Sequence, residues 1–210
     1  MFKSQIYQDR WVLDKLNYKQ NGYFVEIGAY DGITLSNTYA MEKYFGWSGI
    51  CVECNPFMQD KLRSNRECHI CDNGIWIDND RVLYYERQQD DIEMLGFVSN
   101  RITQYPIKTI TLNTLLQKYN APKHIDYISL DIEGVERQIL ESFNFEEYDV
   151  KCWTIEHNIN PDNQNSINNF LSIVKKLLDN NYLVKWHEWD VFAIKDTFET
   201  QYFKHGQRVK

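Results

Sequence analysis

Tyr23-Phe24-Val25-Glu26-Ile27-Gly28-Ala29-Tyr30-Asp31-Gly32 decides the fold. Its first five residues are short, apolar and β-favouring, and Gly28 breaks them, the pattern of a buried strand that runs into a tight turn. Residues 35–45 then read as a helix with Ser36 as its cap. Gly49-Ile50-Cys51-Val52-Glu53 reads as a second strand, and Pro56 opens another short helix. Strand and helix in alternation imply an α/β fold, a mainly parallel sheet with helices on both faces. Ligands in such sheets sit beyond the carboxyl ends of the strands. The residues just after each strand are therefore the ones expected to carry function.

The alternation extends both ways. Residues 4–19 form a helical N-terminal segment, with Ser4 as cap and Ile6, Val12, Leu13 and Leu16 on one side. His69-Ile70-Cys71 is a third, weaker strand. Residues 74–88 read as a β-hairpin turned at Asp78-Asn79-Asp80. Residues 89–106 are irregular, and with Met94, Leu95 and Phe97 they suit a lid over the site, so 74–106 reads as an insertion. Lys108-Thr109-Ile110 is a strand, 112–119 a short helix, and Asp126-Tyr127-Ile128-Ser129-Leu130 a buried strand that ends at Asp131. Val135, Ile139, Leu140 and Phe143 stripe the next helix. Residues 151–156 are a strand, and Ile167, Phe170, Leu171, Val174, Leu177 and Leu178 stripe the clearest helix of the chain. Two last strands, near 183–186 and 191–195, suit an antiparallel pair. With no internal repeat and no Pro-, Gly- or Ser-rich linker, residues 1–210 read as one domain.

Composition sets further bounds. The chain has 210 residues, 43% hydrophobic and 25% charged, and can bury a core without staples. A net charge of −7 argues against a broad nucleic-acid surface, and the basic tail at 204–210 is too short to grip one. No apolar run approaches the ~18 residues of a membrane helix. The first ten residues hold no apolar stretch, so no secretory signal is expected and the cytoplasm is the expected location. Five cysteines do not suggest a disulfide framework there. Cys51-x-x-Cys54 followed by Cys68-x-x-Cys71 has zinc-like spacing. Cys51 lies within a strand, however, where residues i and i+3 point to opposite faces. Buried reduced thiols are the preferred reading, and a zinc-stabilised interaction domain the lesser one.

The strand ends form an ordered series. Gly28 and Gly32 give a close backbone path, and the helix start at Ser36-Asn37 offers N–H groups that suit a carboxylate. Glu53, 21 residues after Gly32, is spaced to grip two ribose hydroxyls. Asp72-Asn73 suits an adenine edge. Asp131, with Glu133 and Gly134 behind it, and Glu156-His157-Asn158 complete the series. Each piece alone has an ordinary structural reading, as a βα turn, a helix cap or a solvated acid. Together they suit an adenosine-containing cofactor. The G-x-G-x-x-G that cradles a pyrophosphate is missing, and Asp31 would repel one, which disfavours a nicotinamide oxidoreductase. S-adenosylmethionine has no phosphate, and Glu26 and Asp31 suit its cationic parts.

Residues 24–32 resemble the first motif of FkbM-type methyltransferases. Ile125-Asp126-Tyr127-Ile128-Ser129-Leu130-Asp131-Ile132-Glu133-Gly134-Val135-Glu136 is similar to a later and more specific block of that family. Lys108-Thr109-Ile110-Thr111-Leu112-Asn113-Thr114-Leu115-Leu116 resembles the stretch before it, and Ser4-Gln5 with Gln8-Asp9 the N-terminal segment. The resemblance spans about residues 4–158 and implies a Rossmann-like class I methyltransferase fold, with a seven-stranded sheet and an antiparallel last strand. It implies S-adenosylmethionine as cofactor, with Gln5, Glu26, Gly28, Ala29, Asp31, Gly32, Ser36, Asn37, Glu53, Asn55, Asp72, Asn73 and Asp131 as its expected contacts. It also implies O-methylation of a hydroxyl on a sugar or small glycosylated acceptor.

A hydroxyl acceptor loses a proton, so a base is expected within reach. His157 is the first candidate because its ordinary pKa lies near working pH, Asp131 the second, and Glu133 and Glu156 follow. Asp131, Glu156 and His157 can also hold a divalent metal, but the set is not specific enough to assign one. The C-terminal aromatics, Trp186 and Trp189 among them, suit the acceptor site, the core or a contact between copies in a homo-oligomer. A non-catalytic binding module on the same fold is the alternative of another class.

Overall fold

The computed structural model describes residues 1–86, 104–132, 134–187 and 189–196. In chain order the elements are α1 (Gln8–Lys15), β1 (Tyr23–Ile27), α2 (Tyr39–Phe45), β2 (Ser48–Val52), α3 (Gln59–Asn65) and β3 (His69–Cys71). Then come β4 (Gly74–Ile75), β5 (Val82–Glu86), β6 (Gln104–Ile110), α4 (Leu112–Lys118) and β7 (His124–Leu130). The chain ends with α5 (Glu136–Ser142), β8 (Asp149–Glu156), α6 (Gln164–Asp179), β9 (Tyr182–His187) and β10 (Asp190–Lys195).

Seven strands form one sheet in the order β3-β2-β1-β7-β8-β10-β9. All pairings are parallel except those of β10, which runs antiparallel to both β8 and β9. Alternate residues of each strand feed opposite faces. Val25 and Ile27 join Ile50, Ile128 and Ile155 in the larger core, covered by Leu115 and Leu116 of α4, Ile139 and Leu140 of α5, and Ile173 and Leu177 of α6. Phe24, Cys51, Tyr127 and Cys152 face the other way, under Val12 and Leu13 of α1, Met41 of α2 and Leu62 of α3. This is the Rossmann-like architecture that the motif order implies.

Four expectations need correction. Residues 74–88 are not a hairpin. β4 and β5 do not pair with each other, because β6 lies between them, parallel to β4 and antiparallel to β5. Thr109 of β6 ties the join: its N–H donates to the Arg81 carbonyl at 2.9 Å and its hydroxyl to the Asp78 carbonyl at 2.8 Å. β6 also begins at Gln104, inside the stretch read as irregular. Pro106 fits there because only β5 pairs at that position, so one side of β6 needs no N–H. The helix read from residue 4 starts at Gln8 instead, and Ser4 forms an isolated bridge to Leu35. The helix read over 35–45 starts at Tyr39, although Ser36 Oγ still accepts from the Tyr39 N–H at 3.0 Å. The lid expected at Met94, Leu95 and Phe97 lies outside the described residues.

One buried charge fixes the turn after β1. Parity puts Glu26 on the α1–α3 face, where it is 2% exposed. Arg66, at the C-terminus of α3, brings Nη1 within 3.1 Å of Glu26 Oε2. The same guanidinium donates from Nε to Glu42 Oε2 at 2.9 Å, from Nη2 to Thr38 Oγ1 at 2.8 Å, and from Nη1 to the Gly32 carbonyl at 3.2 Å. Glu26 also accepts from the Asn37 N–H and the Thr38 hydroxyl, both at 2.6 Å. Gly32 is required beside this guanidinium. Its φ is +82°, and a Cβ there would lie 2.7 Å from Arg66 Cγ and from Leu62 Cδ1. Arg66→Met leaves Glu26 buried without its cation, and Glu42 with Lys43 alone at 3.4 Å, and should cost about 3–5 kcal/mol in urea unfolding. Adding Glu26→Gln should recover part of that loss, so the pair of substitutions costs less than the sum of the singles.

Candidate functional site

A cavity of about 400 Å³ lies at the carboxyl ends of β1, β2, β7 and β8 and at the start of β10. Gly28 lets the chain turn out of β1 here. Its φ is +87°, and a Cβ would sit 1.9 Å from the Asp131 carbonyl oxygen, so no other residue fits against the exit of β7. The N–H groups of Gly28 and Ala29 both donate to the Val52 carbonyl at 3.0 Å, which ties the turn to β2.

Glu53 follows β2 and is buried. Its Oε2 accepts from the Tyr30 N–H and its Oε1 from the Asn55 N–H, each at 2.7 Å. Burial pushes its pKa up to about 7, and the N–H groups of Asn55, Tyr30 and Cys54 limit the rise. Each oxygen keeps a lone pair, so the carboxylate can still receive two hydroxyl donors. Asn37 is buried in the same wall. Its Nδ2 donates to Ser129 Oγ at 2.8 Å, and its Oδ1 is a buried acceptor with no donor. A buried acceptor of this kind calls for a ligand donor. The pair fits S-adenosylmethionine, with Glu53 for the ribose hydroxyls and Asn37 for the amino group.

At the other end, β8 delivers Glu156 and Asn158, and β10 delivers Asp190 after Trp189. Asp190 lies opposite Glu156 in the β8–β10 register. Gln8 of α1 donates from Nε2 to Asp190 Oδ2 at 2.9 Å. Burial raises the Asp190 pKa, against the opposing effects of Gln8 and His187. Gln5 lines the same cavity, as does Asp131 at the exit of β7.

The structure gathers Gln5, Glu26, Gly28, Ser36, Asn37, Glu53, Asp131 and Glu156 around one cavity. It does not bring the others there. Asp31 is turned onto its own loop, where Oδ1 accepts from the N–H groups of Ile33 at 2.9 Å and Thr34 at 2.7 Å. Ala29 is packed into the core, Gly32 backs Arg66, and Asn55 holds Glu53. Asp72 pairs with Arg63 at 3.4 Å, and Asn73 donates to the Lys108 carbonyl at 3.1 Å, so this corner is occupied with β6 rather than with an adenine edge in the cavity. Glu133 lies outside the described residues.

His157 also departs from expectation. Glu156 and His157 are successive, and they serve opposite sides. His157 lines a separate hollow with Arg137, Asn163 and Ser166. Its Nδ1 accepts from the Ile159 N–H at 3.1 Å, and its ring meets Phe170 edge-on at 4.9 Å. Burial lowers its pKa, opposed by the His187 backbone. With His157 turned away, Asp131 and Glu156 lack the third member of the metal set considered for them. Among the described residues no group of three or more His, Cys, Asp and Glu side chains is placed to hold a metal ion. All five cysteines are free thiols, and burial is the leading cause that raises the pKa of Cys51, Cys54, Cys71 and Cys152.

Reading the sequence missed Gln8, Tyr30, Thr34 and Asp190, whereas Trp189 is one of the aromatics it offered for the acceptor site. The rule that sites follow strand ends cannot find Asp190, because β10 runs backwards and its first residue, not its last, reaches the cavity. Among the described residues no helix is long and apolar enough to cross a membrane.

A sequence model of the FkbM methyltransferase domain matches residues 26–184. Two crystal structures similar to this chain share its fold. One is a precorrin-6y C5,15-methyltransferase from Geobacter metallireducens GS-15, 12% identical over 93% of this chain and 94% of that one, with a TM-score of 0.50. The other is a candidate rRNA-methylase from Clostridium thermocellum, 6% identical over 92% and 97%, also at 0.50. A comparison with curated proteins finds no match. The matched span takes in the glycine turn, Asn37, Glu53 and Asp131, and on that ground the chain belongs to the FkbM methyltransferase family and is an S-adenosylmethionine-dependent methyltransferase.

Proposed function

We propose that the protein methylates a hydroxyl of a sugar or of a small glycosylated acceptor. The observation that carries this reading is the far end of the cavity, which Gln5, Gln8, Glu156, Asn158, Trp189 and Asp190 line. Amides and carboxylates beside an aromatic ring suit a polyhydroxylated ligand, whereas an apolar acceptor would desolvate them without return. A nucleic acid fits poorly, because the described lining residues hold five acids and no lysine or arginine.

S-adenosylmethionine supplies a methyl group on a sulfonium, and transfer leaves a neutral thioether. The protein's own part is to align two reactants and to take one proton. Glu53 receives the ribose hydroxyls and Asn37 Oδ1 the amino group. Asp131 stands between the two ends, at the exit of β7, and accepts the proton of the acceptor hydroxyl as that oxygen bonds to the methyl carbon. Alignment of this kind supplies about 7–11 kcal/mol in well-oriented systems, so most of the catalysis rests on the walls and less on the base.

Two outcomes test this. S-adenosylhomocysteine should bind in calorimetry, and Glu53→Ala should weaken it at least about tenfold, or ~1.4 kcal/mol. Because Glu53 titrates near 7 and receives hydroxyls best when ionised, affinity should be flat above that pH and fall below it; Glu53→Gln should remove the dependence. The stability of the free protein runs the other way. A raised carboxyl pKa gives its full stabilisation below the ordinary carboxylate range and loses it as pH rises through about 7. In a mass-spectrometric screen of sugars for a mass gain of one methylene, Asp131→Asn should lower kcat about 10²–10⁴-fold on whichever acceptor responds, and His157→Ala less than about tenfold. A larger effect at His157 than at Asp131 would return the base to His157.

A further inference from the structure

A second hollow, of about 220 Å³, opens beside the first cavity, and Asn158 lines both. Two turns carry the chain from one to the other. After β7, Asp131 lines the first and Gly134 the second. After β8, Glu156 lines the first and His157 the second, with Asn158 on the shared edge. The hollow lies between the starts of α5 and α6. At about 30 Å³ per water it has room for roughly seven waters, which is room for one sugar ring rather than for a longer chain.

The fold fixes its walls. Arg137 of α5 donates from Nη1 to Asn169 Oδ1 of α6 at 3.3 Å and joins the two helices. Ser166 Oγ accepts from the Asn160 N–H at 2.7 Å and donates to the Asn158 carbonyl at 3.1 Å, which clamps the loop after β8 onto α6. Asn163 Oδ1 caps α6 by accepting from the N–H groups of Asn165 at 2.9 Å and Ser166 at 3.3 Å. These bonds occupy the oxygens of Asn163 and Asn169. The Nδ2 groups of both, and the whole side-chain amide of Asn165, make no hydrogen bond among the described residues, and all three residues line the hollow. Such a wall offers three NH2 donors and one carbonyl acceptor to a ligand. It is not an anion site. Arg137 has Glu141 at 3.3 Å, Glu136 lines the hollow beside it, and Asn163 already answers the first N–H groups of α6. A neutral ligand rich in hydroxyls matches amides of this kind, because each hydroxyl both accepts and donates.

We infer that this hollow is a second sugar subsite and that the acceptor is a glycan of at least two units. The unit beside Asp131 is methylated, and a neutral neighbouring unit lies across Asn158 against Asn163, Asn165 and Asn169. This rests on the sugar-hydroxyl reading above and extends it. A free monosaccharide fills the first cavity and leaves the second to water. A second unit is held by walls that are rigid before it arrives, so little ordering opposes its binding. Contacts to that remote unit also hold the first one in place, and orient its hydroxyl toward the methyl group.

The test is a saturation-transfer NMR titration on the protein saturated with S-adenosylhomocysteine. D-glucose, D-galactose and D-mannose are set against maltose, cellobiose, lactose and mannobiose. The best disaccharide should bind at least about tenfold more tightly than the best monosaccharide. Asn165→Trp, which fills the hollow, should bring that ratio to about one. Asn169→Asp, which keeps the oxygen on Arg137 and removes the Nδ2 donor, should lower it. S-adenosylhomocysteine affinity, measured in the same samples, reports that each variant is folded. Disaccharides that bind no better than monosaccharides overturn the second subsite and leave the sugar reading standing. An advantage that survives both substitutions places the second unit elsewhere and overturns it too. If S-adenosylhomocysteine binds and no saccharide does, the sugar reading falls and the subsite with it. Failure of S-adenosylhomocysteine to bind overturns the cofactor site and everything built on it.

Discussion

The ion pair between Glu26 and Arg66 is the interaction on which the site depends. A carboxylate near the end of the central strand of a parallel sheet has no water to face. It is tolerable only with a cation and several donors. Here the cation comes from the end of α3, and the donors come from Ser36, Asn37 and Thr38. The arrangement ties β1, the loop before α2 and α3 into one body. It holds the backbone of residue 37 so that the Asn37 amide lies in the cavity wall, with its Nδ2 on Ser129 Oγ. The charge at Glu26 thus serves the fold first and the ligand indirectly. That is why it is a poor partner for the cationic parts of a cofactor, despite its place in the lining.

Removing Glu26 from the cofactor's charge balance changes how the rest of the cavity works. Glu53 is pushed up to about 7 by burial, whereas Glu26 has a guanidinium at 3.1 Å that it shares with Glu42. Two carboxylates at the ends of adjacent strands therefore do different work because of what stands behind each. The same logic separates Asp190, which meets the Gln8 amide and has His187 across from it in the β9–β10 register, from Asp126, which sits at the opposite end of the sheet and is answered by Lys19 at 2.7 Å.

The strands were legible because a buried parallel strand is a near-continuous apolar run, and Val25, Ile27, Ile128 and Leu130 make those runs plain. The glycine turn was legible because Gly28 stands where only the absence of a Cβ permits the Asp131 carbonyl. What failed was non-local or depended on parity. The pairing of β4 and β5 through β6 joins segments some thirty residues apart by way of Thr109, and nothing in residues 74–88 announces it. Asp31 has the residue type of a ligand contact, yet the Ile33 and Thr34 N–H groups behind it are nearer and fixed, so it closes its own turn. At Glu156 and His157 the chain offered two polar residues in a row at one strand end. The pleat sends them to opposite sides, and a reading without register had no means to choose between them.

The reversed strand explains why the cavity extends beyond the end of β8. Were β10 parallel, its first residue would lie at the far edge of the sheet and the ends of β8 and β10 would deliver residues only from the loops beyond them. Because it runs antiparallel, its start lies beside the end of β8, and Asp190 comes to stand across from Glu156 within the rigid sheet. The hydrogen bond from Gln8 then fixes α1 against this corner, so the N-terminal segment closes one wall of the cavity. Strand ends set residue positions more tightly than loops do. The family match covers the cofactor half of this arrangement, and the antiparallel strand with the N-terminal segment builds the other half. The cavity wall away from Glu53 is therefore built where the topology departs from the parallel pattern, from residues that the antiparallel strand and the N-terminal segment bring together.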